Sequence, residues 1–230
     1  AHIRPTTAAT IFPQDVIGDE IAWGARPQID QALSGAEIIR DSQPEKIGEI
    51  LIKEETIPVI FDEQVIAVIA RHRNAELMRQ PSRLELNYRE VAHNVYRMVA
   101  EGTFPYTENS ELFDPAARVG DGLIRLDING VITYASPNAK SAFNRMRWAG
   151  ELEGNVLGEV ARSVLLIKPE AHEEAVEVSL SGKSLRRVEI ENTGGTIDLL
   201  ALPLLAGGDR IGSIVLLQNV TELRRREREL

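Results

Sequence analysis

Residues 122–139 read GLIRLDINGVITYASPNA, and this stretch decides how the second half of the chain folds. Two apolar runs flank Asn129-Gly130, the dipeptide that best tolerates the positive φ angles of a tight hairpin turn. Pro137 follows the second run, and proline is favoured in the first turn of a helix. The stretch therefore predicts a strand, a turn, a second strand and a helix, in that order.

Three further strands are predicted downstream, over residues 185–191, 196–205 and 210–220. Glycine pairs at 194–195 and 207–208 supply the turns between them. Two strands, a group of short helices and three more strands indicate an α+β domain with a five-stranded antiparallel sheet. The helical segments are expected over residues 137–148, 151–164 and 169–180.

An earlier hairpin is predicted from β-branched runs at residues 57–61 and 65–70, joined by a polar turn at 62–64. The second run is continuously apolar. We therefore expect it to be a central strand that is covered on both faces.

Two helices flank this hairpin in the prediction. Ser82 and Glu85 have the spacing of a capping box, in which each side chain bonds the backbone amide of the other residue. Apolar residues recur at helical spacing from there to Gly102, where the pattern ends. A shorter helix over residues 27–33 precedes the hairpin, with Gly35 as its expected C-cap.

Composition narrows the classes of function. The net charge of −9 disfavours nucleic-acid binding by the bulk surface, because phosphate contacts need clustered positive charge. The absence of cysteine excludes disulfides, cysteine-ligated metals and a cysteine nucleophile. No apolar run approaches the roughly 18 residues of a membrane helix, so we expect a cytoplasmic protein with no membrane partner.

The second half resembles a PAS domain. Residues 127–132, followed by Ser136-Pro137-Asn138-Ala139, match the Asp-x-x-Gly turn, apolar strand and Asn-x-Ala helix start of that family. Asn219-Val220-Thr221-Glu222 stands where PAS domains have an Asp-Ile/Val-Thr-Glu motif, which ends the sheet and begins the signalling helix. Asn219 replaces the aspartate. Its amide can still hydrogen-bond to the threonine, but it lacks the charge that an ion-paired version would need.

The first half is similar to the C-terminal part of a GAF domain, on the evidence of the hairpin at 57–70 and the helix after it. Taken with the runs at 97–105, 120–127, 134–139 and 219–226, the chain resembles the actinobacterial GAF–PAS sensor histidine kinases of the PdtaS type.

This resemblance implies an α+β fold of two domains, each an antiparallel sheet flanked by helices, joined by a connecting helix. Residues 1–103 would form a GAF-like domain whose start is missing, and residues 104–118 a linker. Residues 119–220 would form the PAS domain, and residues 221–230 the start of a signalling helix.

The resemblance also implies a function. The chain would be the sensor region of a cytoplasmic two-component histidine kinase that works as a homodimer. Its kinase domain would lie beyond Leu230 and phosphorylate a response regulator with an RNA-binding ANTAR domain. The chain alone would not be an enzyme. Asn219, Thr221 and Glu222 are the candidate signal-transfer residues.

No catalytic or metal site is expected within the chain. His93 lies on a predicted helix, but neither a glycine-rich ATP lid nor a phosphate loop accompanies it, so we interpret it as an ordinary helix residue. His172 as a haem ligand is the less favoured interpretation, and the histidine spacings do not match a zinc site. The nearby glutamates Glu170, Glu173, Glu174 and Glu177 are expected to form a solvated face.

Two features keep alternatives open. Arg224-Arg225-Arg226 alternates with acidic residues, which favours a linker helix over a nucleic-acid patch, with Glu222 and Arg226 spaced for an ion pair. A leucine-rich strand is expected to fill the core, although PAS and GAF domains often hold a small molecule (leucines at 199, 200, 202, 204 and 205). No cofactor is evident, and the alternative function is a ligand-free scaffold for dimerisation and interaction.

Overall fold

The structure is a computed structural model that describes residues 18–40, 43–47, 50–75, 80–104, 121–165, 176–177 and 180–229. These residues form helices and two antiparallel sheets, as predicted for an α+β protein. The chain divides into two compact units, Ala1–Arg83 with Val95–Phe104, and Leu84–Asn94 with Pro105–Leu230.

The first unit is built on a sheet in the order β1-β2-β3. Its strands are Glu45–Ile47, Ile50–Phe61 and Gln64–Asn74. Asp62 and Glu63 join β2 to β3 with φ angles of +49° and +59°, the twist that suits a two-residue hairpin turn. The predicted hairpin is therefore confirmed.

Helix α1, Pro27–Gly35, packs on this sheet through the fully buried Ala32. The Thr56 hydroxyl on β2 donates to the backbone carbonyl of Gln28 at 3.2 Å. Gly35 is not the left-handed cap that the sequence predicts. The helix runs through it, and Ala36 takes that conformation at a φ of +53°, because its N–H can still bond the Ala32 carbonyl.

The apolar run at residues 65–70 was also expected to be a central strand, and this is wrong. In the part of the chain that the structure describes, β2 is central and β3 lies at the edge. Ile66 on β3 is 62% exposed. β-Branched residues favour extended structure wherever they fit a pleated surface, so the run specified a strand but not its place in the sheet.

Helix α2 spans Arg83–Ala100, beginning directly after Ser82 as the capping pattern predicts. Gly102 ends it with a φ of +71°, and its N–H donates to the Val99 carbonyl at 3.2 Å. A Cβ at this position would lie 3.3 Å from the carbonyl oxygen of Ile60, so glycine suits both the turn and the close approach.

The second unit contains the predicted five-stranded antiparallel sheet, in the order β5-β4-β8-β7-β6. Much of the helix predicted at 169–180, including His172, lies outside the described residues. The strands are β4 (Leu123–Leu126), β5 (Ile132–Ala135), β6 (Arg186–Asn192), β7 (Gly195–Ala206) and β8 (Asp209–Asn219), and the helices are α3 (Pro137–Arg145), α4 (Leu157–Val164) and α5 (Thr221–Arg228).

Within residues 122–139, two side chains fix the hairpin turn and the start of helix α3. The Asp127 carboxylate accepts the N–H groups of Asn129 and Val131, at 2.8 and 2.9 Å. Ser136 caps α3 by accepting from Ala139, and it also accepts the N–H of Leu123 at 2.9 Å. Local hydrogen bonds of this kind explain why the stretch could be interpreted without the rest of the chain.

Helices α3 and α4 cover one face of this sheet. Leu199 belongs to the core between these helices and the sheet. The alternate leucines at 200, 202 and 204 are also buried but lie outside that core, because successive strand residues point to opposite faces of the sheet. The core is filled by large side chains that are less than 2% exposed, among them Phe143, Met146, Leu157, Ile124 and Ile190.

Candidate signal-output site

The junction between β8 and α5 joins two of the predicted signal-transfer residues. The Asn219 amide oxygen accepts from the Thr221 N–H at 3.1 Å and from the Thr221 hydroxyl at 2.7 Å. This is the contact that an aspartate would make, so the Asn substitution preserves the geometry of the motif without its charge. The end of β8 and the start of α5 are therefore fixed to each other.

Thr221 also binds the neighbouring strand β7. Its hydroxyl oxygen accepts the backbone N–H of Thr196 at 2.9 Å, and the N–H of Val220 donates to the Thr196 carbonyl at 3.0 Å. Thr196 is only 3% exposed, so its amide depends on this hydroxyl in place of water. One side chain thus connects the first turn of α5 to two strands.

Gly195 allows this close approach. Its φ is +140°, and a Cβ there would lie 2.4 Å from the Thr221 hydroxyl oxygen. A larger residue at this position would push Thr221 away from β7 or force the strand to move.

Two ion pairs hold the rest of α5 to the outer strand β6. Arg224 binds Glu189 at 2.6 Å, and Arg228 binds Glu191 at 2.7 Å. Glu189 and Glu191 alternate along β6 and share a face, while the two arginines are one helical turn apart. The spacing along the strand therefore matches the spacing along the helix.

The ion pairs shift the pKa values of the groups that form them. The hydrogen bond from Arg228 lowers the pKa of Glu191 below its ordinary value of 4.5. The hydrogen bonds that Arg224 donates to Glu189 and Glu227 raise the pKa of its guanidinium. The hydrogen bond that Arg228 donates to Glu191 raises the pKa of Arg228 in the same way. Each shift favours the charged form that the ion pair requires.

Glu222, the third predicted residue, is exposed and has no hydrogen bond or ion pair among the residues that the structure describes. The expected pair with Arg226 is wrong. The pairs within α5 join Arg224 to Glu227 and Arg225 to Glu229, and both Glu222 and Arg226 are exposed. The residues of this junction that sequence reasoning missed are Thr196, Glu189, Glu191, Arg224 and Arg228.

The first unit contains a separate polar cluster. The Nε2 of His72 lies 2.6 Å from an oxygen of Glu54, and Arg26 donates to the same carboxylate. They line a cavity of about 400 Å³ beside α1. Burial, and then the positive charge of Arg26, lower the pKa of His72 below 6.5. No group of three potential metal ligands occurs in the described part of the chain.

Comparison with known proteins shows which family the chain belongs to. Residues 1–92 match the family described as "Histidine kinase PdtaS, GAF domain". The sensor histidine kinase PdtaS of Mycobacterium tuberculosis strain H37Rv is 38% identical over 237 residues, and that of Mycolicibacterium smegmatis is 37% identical over 235. Each alignment covers 100% of this chain and 47% of the relative, so the chain spans about half the length of these relatives.

A solved structure described as the sensor region of a sensor histidine kinase superposes with a TM-score of 0.77 at 34% identity. The superposition covers 93% of this chain and 76% of the chain in that structure. The fold and these similarities therefore define the sensor region of a sensor histidine kinase. More narrowly, the chain belongs to the PdtaS family and matches its sensor region, with GAF-like and PAS domains. Over the described residues, no helix is both long and apolar enough to cross a membrane.

Proposed function

We propose that this chain regulates a two-component histidine kinase and that α5 is the element through which it does so. The observation that carries the proposal is the position of Thr221, whose hydroxyl oxygen accepts the Thr196 N–H while its own N–H donates to Asn219. A displacement of β7 or β8 would therefore change the start of α5 directly. This supports the signal-transfer role proposed for Asn219 and Thr221. No such contact supports the role proposed for Glu222, which is exposed in the first turn of the helix.

The mechanism needs two states that differ in how α5 meets the sheet. In one state, Thr221, Arg224 and Arg228 hold the helix to β6 and β7. In the other, these contacts are released and the helix changes its angle or rotation. A signal regulates the kinase only if it binds one of the two states more tightly.

The remaining parts of the proposal follow the relatives. Residues 1–103 would form the GAF-like domain, 104–118 the linker, 119–220 the PAS domain and 221–230 the start of the signalling helix. Two copies would act as a cytoplasmic homodimer, so that paired α5 helices present one geometry to the kinase. The kinase would phosphorylate a response regulator of the ANTAR type, and no cofactor is part of the proposal.

The test is the autophosphorylation rate of the full-length kinase with Thr221→Ala. Loss of the hydroxyl leaves the buried Thr196 N–H without its acceptor, which costs about 1–3 kcal/mol and favours the released state. We expect the rate to change several-fold, in either direction. Thr221→Ser is the matched control, because it keeps the hydroxyl and should stay within about twofold of wild type. A Thr221→Ala protein with the wild-type rate and signal response would contradict the proposal.

A ligand-free scaffold is the second candidate function. The observation in its favour is the packing of the second unit, where Phe143, Met146 and Leu157 fill the space between helices and sheet. Native mass spectrometry separates the two candidates when the native mass is compared with the denatured mass. A retained ligand would favour sensing, whereas a dimer of clean apo mass would favour the scaffold.

A further inference from the structure

The side chain of Asn192 connects the turn between β6 and β7, residues 192–195, to the ends of α3 and α4. The amide nitrogen of Asn192 donates to the carbonyls of Met146 and Val164, both at 2.8 Å. Its amide oxygen accepts the N–H of Gly194 at 2.7 Å. Met146 follows the end of α3 and Val164 ends α4, so a single amide group satisfies carbonyls at two helix ends.

Two further contacts fasten the same turn to the end of α3. A Cβ on Gly194 would lie 1.8 Å from the carbonyl oxygen of Arg145, an approach that only glycine permits. The Nε of Arg147 donates to the Thr193 hydroxyl at 3.1 Å. Arg147 itself has a φ of +65°, a left-handed conformation that is uncommon for residues other than glycine. The end of α3 and the turn are thus in direct contact at two points.

The other end of the turn contacts the output junction. Gly195 approaches the Thr221 hydroxyl, and the next residue, Thr196, donates its N–H to it. Five residues of chain, from Asn192 to Thr196, therefore connect the ends of α3 and α4 to the first turn of α5. A displacement of those helix ends can therefore reach Thr221 through the backbone of the turn and the hydrogen bond from Thr196.

We infer that Asn192 is a positioning residue that relays the placement of the α3 and α4 ends to the Thr221 junction. The inference rests on the proposed function, because it supplies the route by which a change on the core side of the sheet reaches α5. A shift of about 1 Å at either helix end would break a hydrogen bond of 2.8 Å. The turn would then be free to move, which gives the two arrangements that coupling requires.

The experiment is Asn192→Asp in the full-length kinase. Aspartate keeps the shape of the side chain and an acceptor for the Gly194 N–H, but it has no donor for the two carbonyls. We expect the autophosphorylation rate to change at least threefold, in the same direction as for Thr221→Ala. The double variant should change no further than the stronger single variant, because both residues act on one path.

Val188→Ala is the matched control, since Val188 lies on β6 and packs on the core away from the turn. It should lower the melting temperature without changing the rate. If it changes the rate as much as Asn192→Asp does at an equal loss of melting temperature, the effect is one of stability and the relay is overturned. An unchanged rate in Asn192→Asp, or effects that multiply in the double variant, would also overturn it.

These outcomes separate the inference from the proposed function. If Thr221→Ala changes the rate and Asn192→Asp does not, the relay fails and the output role of α5 stands. If Thr221→Ala has no effect, the proposed function fails and the relay fails with it.

Discussion

The hydroxyl oxygen of Thr221, in the first turn of α5, accepts the backbone N–H of Thr196 on β7 at 2.9 Å. These residues are 25 positions apart in sequence, and the bond joins α5 to a strand that it does not directly follow in the chain. Thr196 is buried, so the release of Thr221 leaves a buried backbone N–H without an acceptor unless the sheet also rearranges. The start of α5 and the position of β7 are therefore energetically linked.

Gly195→Ala should disturb this link by crowding. The new Cβ would lie 2.4 Å from the Thr221 hydroxyl oxygen, so α5 or β7 must shift. We expect a loss of about 1–3 kcal/mol in the free energy of unfolding and at least tenfold faster amide exchange in the first turn of α5. Gly208→Ala is the control. It also has a positive φ, of +90°, but it has no atom within 4 Å of its Cβ position. Equal exchange in α5 for both variants would contradict the steric account.

Glu189→Gln should loosen α5 without disturbing Thr221, because it removes the charge that Arg224 binds on β6. The pair is partly exposed, so we expect a modest effect, about two- to fivefold faster amide exchange in α5 at low salt. The difference from wild type should shrink in 1 M salt, where the Debye length is about 3 Å. Glu227→Gln removes a partner of Arg224 within the helix and serves as the control. A difference that persists unchanged in high salt would argue against an ionic contact.

The last turn of α5 should detach in acid. Arg228 stabilises the charged form of Glu191, so the folded-state pKa lies below the ordinary 4.5. A lowered carboxyl pKa contributes stability above pH 4.5 that is lost as the pH falls through the folded-state value. A ¹³C NMR titration of the Glu191 carboxyl should show this, and Arg228→Gln should return its pKa toward 4.5. Arg225→Gln is the control, since Arg225 pairs with Glu229 on its own helix. An equal change in both variants would contradict the assignment.

His72 should make the first unit less stable in mild acid. Burial and Arg26 lower its pKa below 6.5, so the unfolded chain binds a proton at a higher pH than the folded protein does. Stability should therefore be unaffected above pH 7 and decrease below 6.5, by less than about 1.4 kcal/mol per pH unit. Urea unfolding from pH 7.5 to 5.5 measures the slope, and His72→Gln should reduce it. The same slope in both proteins would contradict the prediction.

Local signals account for the parts of the fold that the sequence predicted. Asn129-Gly130 and the glycines at 194–195 mark turns by their own backbone preferences, and Ser136 caps a helix within three residues. The Asn219 and Thr221 pair was predicted by a motif of adjacent residues. Such features depend on neighbours in the chain, so they can be interpreted before the tertiary structure is known.

The missed residues depend on register and tertiary contact. Glu189 and Glu191 face α5 only because the turn at Gly194 fixes which residues of β6 and β7 pair. Once that register is known, the alternating glutamates and the arginines at 224 and 228 predict the two ion pairs between β6 and α5. Asn192 gave none, since its partners are backbone carbonyls of distant helices. The edge position of β3 was missed for the same reason, because strand order is set by nonlocal pairing.

We propose above that attachment of α5 to the sheet controls the kinase. The most direct measurement is amide exchange in α5 together with the autophosphorylation rate, on the same full-length preparations of wild type, Thr221→Ser, Thr221→Ala and Gly195→Ala. We expect the rate to depart from wild type in the same order as exchange accelerates, with Thr221→Ser nearest to wild type. Exchange that accelerates tenfold in Thr221→Ala while the autophosphorylation rate stays at the wild-type value would contradict it.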